Sequence, residues 1–424
     1  MSDIFKKIAL GFAQAFGFGL FFIVCGFMGV YFLTDIDMRA MVHTIGAKTN
    51  LYVPYEVKPF TEAKSVKKQF LRHQSKIPDN YLRIHAQDTA GLYEALNTLN
   101  QLGGNGVIIM ADGVYNLNTT LMIRQDNIMI VSLSANPYKV TFKGLGNQPT
   151  GPVHNIIKVE ASNFTLDGIT LTDSPNHLIQ IAGELDADNI VLRNNIFQDS
   201  YEQLIKISYN LRGSARMSAD NGIIENNIFQ YTRGVANNYY TGGIDGLGAK
   251  NWYVEGNVFR DIASPSKNIA QYAVHFWVNS ENNVVTNNIF IDNDRSIGFG
   301  LLISANNVEG YEFESQGGKI SDNYIFHTDN NDPFADAGIV LEASENAVVN
   351  NNVIYQAHSY PNAIEYRFAK TKNLMITDNV TNQAIQSRND AQATVRNNTN
   401  LLSQEEMLLK LSHAMESHRI MQVY

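Results

Sequence analysis

Three short phrases hold residues that could do chemistry: Ile205-Lys206-Ile207, Ile244-Asp245-Gly246 and Val274-His275-Phe276. In each, apolar residues flank a polar one, as in a strand whose outer members point inward while the middle one points out. Aligned with similar phrases along the chain, the middle residues form one outward column of Gln180, Lys206, Asp245, His275, Gly298, Val340, Glu365 and Gln386. Two residues further on, a second column runs through Ser208, Leu247, Trp277, Gly300, Glu342, Arg367 and Arg388. Lys206, Asp245 and His275 are then vertical neighbours, a cation, a carboxylate and an imidazole on one rigid support. Such a set can take a proton from a carbon beside a carboxylate. Lys206 would neutralise that carboxylate or act as base, His275 would be base or acid, and Asp245 would orient His275. Trp277 would offer an aromatic face for stacking. Arg295, in the turn before Ile297, joins Glu342, Glu365 and Arg367 in a second polar group, read either as substrate contacts or as an exposed ion pair. The first column also reads as an ordinary ladder of opposite charges on adjacent strands. A slip of one residue in the alignment would turn every side chain to the other face.

The elements that would position these residues are legible in a repeated phrase. Asn194-Asn195-Ile196-Phe197, Asn226-Asn227-Ile228-Phe229, Gly256-Asn257-Val258-Phe259 and Asn287-Asn288-Ile289-Phe290 recur, followed by weaker copies at 322–325, 351–354, 378–380 and 397–399. The second Asn falls at 195, 227, 257, 288, 323, 352, 379 and 398, in steps of 32, 30, 31, 35, 29, 27 and 19 residues. Repeats of this kind mark a solenoid. Three short strands per coil joined by turns fit the steps, with longer steps carrying loop insertions, so the expected fold is an all-β solenoid, a right-handed parallel β-helix. The Asn column should bond up and down a buried turn, since Asn tolerates the left-handed conformation and satisfies backbone groups there. Residues 88–100 form an amphipathic helix capped by Asp88 or Thr89, with Leu92, Ala95, Leu96 and Leu99 on one face, expected to cover the first coil. Ser403-x-x-Glu406 is a capping box opening a C-terminal helix expected to cap the last coils.

With Asp112-Gly113-Val114-Tyr115 after an apolar strand, these repeats resemble the pectate-lyase-like superfamily of right-handed parallel β-helix proteins. Further phrases, Val274-His275-Phe276-Trp277, 294–300 and 364–368, resemble bacterial β-helix repeat proteins, and the opening is more weakly similar to chondroitinase-B-type and alginate lyases. The resemblance covers roughly residues 85 to 400 and speaks to fold more than to reaction. It implies a polysaccharide as partner, and with the column it suggests β-elimination or C5 epimerisation of an acidic polysaccharide. A non-catalytic glycan-binding or envelope scaffold and an inverting glycoside hydrolase using Asp245, Glu342 and Glu365 are the alternatives. The paired-aspartate and Gly-His-Gly pattern of polygalacturonase-type hydrolases is missing, as is the Asp-Pro-His-Asp pattern of mannuronan epimerases. No catalytic residue is therefore carried over from a family.

With 32 Lys and Arg against 41 Asp and Glu, the net charge of −9 speaks against nucleic acid as a partner. The single cysteine, Cys25, leaves the rest of the chain without disulfide or thiolate chemistry. From Ile8 to Leu33 no residue is charged, and no small-x-small cleavage site follows, so an uncleaved membrane anchor is expected, with Lys6 and Lys7 inside and Asp35 and Asp37 beyond the far face. The β-helix would then be extracytoplasmic, and the basic residues between Lys58 and Lys76 read either as a solvated helix face or as a segment resting on anionic lipid headgroups. The expected organisation is a cytoplasmic tip at 1–7, a span at 8–33, a juxtamembrane linker at 34–80, the β-helix at 81–400 and the helix at 401–424, with a protein partner also allowed. No cofactor is expected. Asp292-x-Asp294 and Asp329-Asn330-Asn331-Asp332 place oxygen ligands as calcium requires, while His154, His177 and His327 have no metal-ligand spacing.

Overall fold

The computed structural model describes residues 66–68, 75–149, 155–210, 217–302, 312–328, 335–417 and 420–422. The expected span at 8–33 lies outside the described residues, as do the tip and most of the linker. Among the described residues no helix is long and apolar enough to cross a membrane. All described elements belong to the unit Tyr55–Tyr424.

Short apolar runs broken by Asn, Asp and Gly form strands of mostly three to five residues, stacked into three parallel sheets of ten, twelve and ten strands. Sheet 1 runs from Leu121–Ile123 to Ala384–Arg388, sheet 2 from Leu82–Ala86 to Ala393–Arg396, and sheet 3 from Gly113–Asn116 to Val380–Thr381. Each circuit adds a strand to each sheet: Val191–Arg193, Ile196–Gln198 and Ile205–Ile207 enter sheets 2, 3 and 1 in turn. This is a parallel β-helix, as the repeats require.

The repeated phrase divides its labour. Its first residue makes the turn, with φ between 56° and 58° at Asn194, Asn226, Asn287 and Asn351. Its second builds the ladder: the Asn227 amide N–H donates to Asn257 Oδ1 and that of Asn257 to Asn288 Oδ1, both at 2.9 Å, and the pattern continues to Asn398. Each side-chain amide also donates to a carbonyl one coil away, as Asn257 Nδ2 does to Ile224 O at 2.8 Å. The phenylalanine that follows points inward, and Phe197, Phe229, Phe259 and Phe290 stack at centroid spacings of 4.9, 4.5 and 4.9 Å.

Helix α1 (Thr89–Leu102) begins where expected, its cap Asp88 accepting from the Gly91 amide at 2.7 Å, and buries Leu92, Ala95, Leu96 and Leu99 against the first strands. The C-terminal helix α2 (Gln404–Ser417) has the expected capping box but another seat. Met407, Leu411, Ala414 and Met415 pack on Val258, Ile289, Phe326 and Val353, the outward apolar positions of sheet 3, so the helix lies along the side of the coils and not over the last one. Leu408 and Leu409 are exposed. Ile420 and Met421 leave the helix for a strand, Ile420–Gln422, antiparallel to Val66–Lys68.

Candidate functional site

The middle of the outward column, Lys206 to Glu365, sits on six strands of sheet 1: β1 (Ile205–Ile207), β2 (Ile244–Leu247), β3 (Val274–Trp277), β4 (Ile297–Phe299), β5 (Ile339–Glu342) and β6 (Asn362–Arg367). Lys206 pairs with Asp245, Asp245 with His275, His275 with Gly298, Gly298 with Val340 and Val340 with Glu365, the register that the alternation predicts. In the second column Leu247 pairs with Trp277 and Glu342 with Arg367.

These side chains leave the coil but do not reach open solvent. Asp245 is 3% exposed, His275 1%, Trp277 4% and Glu365 0%. The cover comes from loops: Tyr272, Ala337 and Tyr360 close over Val340. Gly298 makes room for this, because a Cβ there would lie 2.8 Å from the Tyr272 ring. Tyr272 lies 4.6 Å from the imidazole of His275, and Trp277 stacks on the same imidazole at 5.2 Å and 5°.

Asp245 organises the upper group. It accepts from the Lys206 ammonium and from the Trp277 indole N–H at 2.7 Å. Burial is the largest influence and opposes its charge, but the Lys206 ammonium, His275 and the hydrogen bonds from Lys206 and Trp277 together hold the carboxyl below its ordinary range. Burial likewise opposes the ammonium, and Asp245 with Tyr240 and Glu202 together more than offset it, so Lys206 holds its proton more firmly than a free lysine. To act as base Lys206 would have to give up the proton that this pairing holds; the pairing suits it to the other expected role, a fixed positive charge. Burial pushes His275 down to about 4, so it is neutral near pH 7. Its Nε2 lies 2.9 Å from Gly300 O and must carry the proton, which leaves Nδ1 bare, without a hydrogen-bond partner and 3.9 Å from Asp245 Oδ1. Asp245 therefore does not orient His275 through a hydrogen bond; Gly300 does. Nor is Trp277 an open stacking platform: it packs on His275 and among Tyr209, Leu247 and Val278.

The lower group is a buried network, not the exposed ion pair weighed above. Arg367 donates to Asp336 Oδ1 at 2.7 Å, to Glu342 Oε1 at 3.0 Å and to Glu365. Glu365 also accepts from Tyr360 Oη at 2.7 Å and Arg388 at 3.0 Å. Burial raises Asp336 and Glu365, and their cationic and hydrogen-bonding partners more than reverse it, leaving both below the usual carboxylate range. Arg295 is placed over the Tyr272 ring at 5.0 Å, with Asp336 4.0 Å away. Asp336 and Tyr272, which alternation missed, sit in loops without periodicity; their only sequence signal is proximity to sheet 1 strands.

In the first of the two acidic turns read as calcium ligands, the carboxylates have other partners. Asp292 Oδ1 accepts from the Thr328 amide and hydroxyl at 2.7 Å, and Asp294 Oδ2 from the Ser264 and Ala270 amides at 2.9 Å, so both carboxylates tie loops together. Residues 329–332 and His154 lie outside the described residues, and among the described residues no group of three or more acidic, histidine or cysteine side chains could hold a metal. His177 is buried and pushed down to about 3 by that burial, and His327 packs edge-on against His358.

No protein-family model matches the chain, and no curated protein matches it in sequence. Solved structures do. The catalytic unit of a GH87 α-1,3-glucanase from Streptomyces thermodiastaticus strain HF3-3 is 13% identical with a TM-score of 0.50, covering 78% of this chain and 66% of that one. The chain thus spans just under two thirds of the glucanase unit. An alginate lyase from Paenibacillus sp. str. FPU-7 is 14% identical with a TM-score of 0.44, covering 67% of this chain and 97% of that one. Likeness at such identity is one of fold alone, and the fold is the parallel β-helix that the repeats suggested.

Proposed function

We propose that this chain is a membrane-tethered, extracytoplasmic β-helix protein that acts on an acidic polysaccharide at the outer face of sheet 1, by β-elimination or C5 epimerisation. The observation that supports it is the enclosure of Asp245, His275, Glu342, Glu365 and Arg367 on the outside of the coil. Taking charges out of water seldom stabilises a fold, and ionisable groups with displaced proton affinity gather where chemistry is done. Lys206, with its side chain 16% exposed, supplies the positive charge that a uronate carboxylate needs as the C5 proton leaves. His275 Nδ1 is the basic nitrogen beside it, and a polymer reaches it only if Tyr272 or Trp277 swings aside. The glucanase that shares the fold works on a polysaccharide by its name, which agrees with this reading without carrying it.

A second reading, a non-catalytic glycan-binding protein or envelope scaffold, draws on that same enclosure of His275. The inverting hydrolase needs a carboxyl raised to act as acid, whereas two of its three candidates, Asp245 and Glu365, are lowered. The tether rests on the uncharged stretch 8–33 and its flanking charges. Resistance of the full chain to alkaline extraction from membranes, with protease access to the β-helix from outside, is the expected result; release by alkali would remove the tether.

The function is tested on the full chain in detergent, with uronate polymers in heavy water. Unsaturated ends read by ultraviolet absorbance, or deuterium at C5 read by mass spectrometry, are expected. Both should fall by about 100-fold or more in Lys206→Met and His275→Ala, with melting curves separating lost chemistry from lost folding. Binding without either product would overturn the enzyme and leave the binding protein. Binding to no polymer would overturn both.

A further inference from the structure

A cleft of about 440 Å³ opens on the outer face of sheet 2, on another side of the coil from the constellation of sheet 1. One wall is the segment 75–81. The Ser75 amide donates to Asp167 Oδ2 at 2.6 Å, and Ile77 and Tyr81 pack on Val107, Met129 and Val131, so the segment is fixed across the sheet. The floor is made by Met129, Thr165 and Val191, one from each of three successive strands, with Arg193 at its edge. Opposite the segment stand three turn asparagines, Asn127, Asn163 and Asn189, with φ of 61°, 59° and 58°. Coil spacing puts such residues about 4.8 Å apart.

Two polar atoms of this lining are buried without a hydrogen-bond partner, Ser75 Oγ and Arg193 Nε. Folded chains rarely leave such atoms unsatisfied unless water or a ligand meets them. The guanidinium is already fixed, Arg193 Nη2 lying 2.9 Å from Glu225 Oε1, so its Nε–H is a preset donor. Lys76 adds an exposed ammonium at the rim. Asp167 and Glu225 next to the cleft balance the two cations, so no excess charge draws a polyanion, and a carboxylate is met locally by the unpartnered Arg193 Nε–H and by Lys76. The volume lies within the roughly 300–1,000 Å³ typical of small-ligand sites.

We propose that this cleft is a second glycan site, taking one uronate-bearing saccharide unit or a disaccharide. The C–H face of the ring rests on Met129, Val191 and the flanking Tyr81 and Pro78. Its hydroxyls meet Ser75 Oγ and the asparagine amides, and its carboxylate meets Arg193 Nε and Lys76. On a tethered protein, a second site raises the effective concentration of polymer at the first without any new contact there. The cleft does not depend on the chemistry assigned to sheet 1.

The test is calorimetric titration of the full chain in detergent with digalacturonic acid, and with cellobiose as the neutral comparison. Digalacturonic acid should bind the wild-type chain and Lys206→Met alike, bind Arg193→Gln and Lys76→Ala at least about tenfold more weakly, and outcompete cellobiose by a similar factor. Val191→Trp, which fills the floor, should abolish binding with an unchanged melting temperature. No heat with either sugar, or full affinity in Arg193→Gln and Val191→Trp, would overturn the site. Loss in Lys206→Met alone would move the binding to sheet 1, and equal affinity for cellobiose would overturn the acidic ligand.

Discussion

At the scale of the residue, His275 shows how burial decides what a side chain can do. Its Nε2–H is committed to Gly300 O, its faces are covered by Tyr272 and Trp277, and its bare Nδ1 sits beside an ionised carboxylate that accepts from other donors. With a folded value of about 4 against roughly 6.5 in the unfolded chain, the unfolded state binds more protons between these limits. Stability is therefore full above pH 6.5 and declines as pH falls toward 4, by an amount on the order of 3 kcal/mol from this residue. His177, pushed to about 3, acts in the same direction. Asp245 and Glu365, lowered in the fold, keep their contribution through that window and lose it only below the ordinary carboxylate range. Urea midpoints measured from pH 7 to 4.5 should fall in the wild-type chain and fall less in His275→Gln, which keeps a donor for Gly300 O. Parallel curves would mean that His275 is not the buried neutral group described.

At the scale of the element, the asparagine phrase carries more than one instruction. A left-handed first residue sets the turn, an amide second residue bridges the coils, and an inward phenylalanine stacks in the core. Asn257 is fully buried and serves four partners: it donates to Ile224 O and Asn288 Oδ1 and accepts from the backbone and side-chain N–H groups of Asn227. Asn257→Ala leaves several of them unsatisfied at once and should cost about 2–4 kcal/mol in chemical denaturation. Asn398, at the end of the ladder and partly exposed, should cost less than about 1 kcal/mol. Equal losses would show that the ladder is not what holds the coils. The same regularity explains what sequence could and could not reveal. Period-two alternation placed Lys206, Asp245, His275 and Glu365 in one register, because a strand fixes the side on which each side chain leaves. It could not say what lies over that side. Tyr272, Asp336, Ala337 and Tyr360 come from loops with no period, and they turn an expected open ladder into an enclosed network. The seat of α2 was hidden for a related reason: Val258, Ile289 and Val353 alternate correctly with the inward phenylalanine column, but nothing local marks the outer face as one that a distant helix will cover.

At the scale of the whole solenoid unit, each coil touches only its neighbours, so stability is distributed along a line and its two ends need not be equal. At the first coil, α1 buries four apolar side chains against the terminal strands; the inward Ile84 of the first strand is partly buried against the core, and Ile108 beneath it is fully enclosed. The last coil has no such cover among the described residues. Val395, which continues the inward column below the fully buried Ile376, is 41% exposed, and Ile385 is only partly buried. α2, which might have covered this end, is spent on the side of sheet 3. Amide hydrogen exchange should therefore report a gradient, with protection lost first in Ala393–Arg396 and Ala384–Arg388, kept longer in Leu82–Ala86 beneath α1, and longest in the central coils around residues 196–291. Leu96→Asp, which spoils the apolar face of α1, should bring the first coil down toward the last while leaving the centre unchanged. If the last coil instead exchanges as slowly as the centre, something covers it in solution, and repeating the measurement over a range of protein concentrations would show whether that cover is a second copy of this chain.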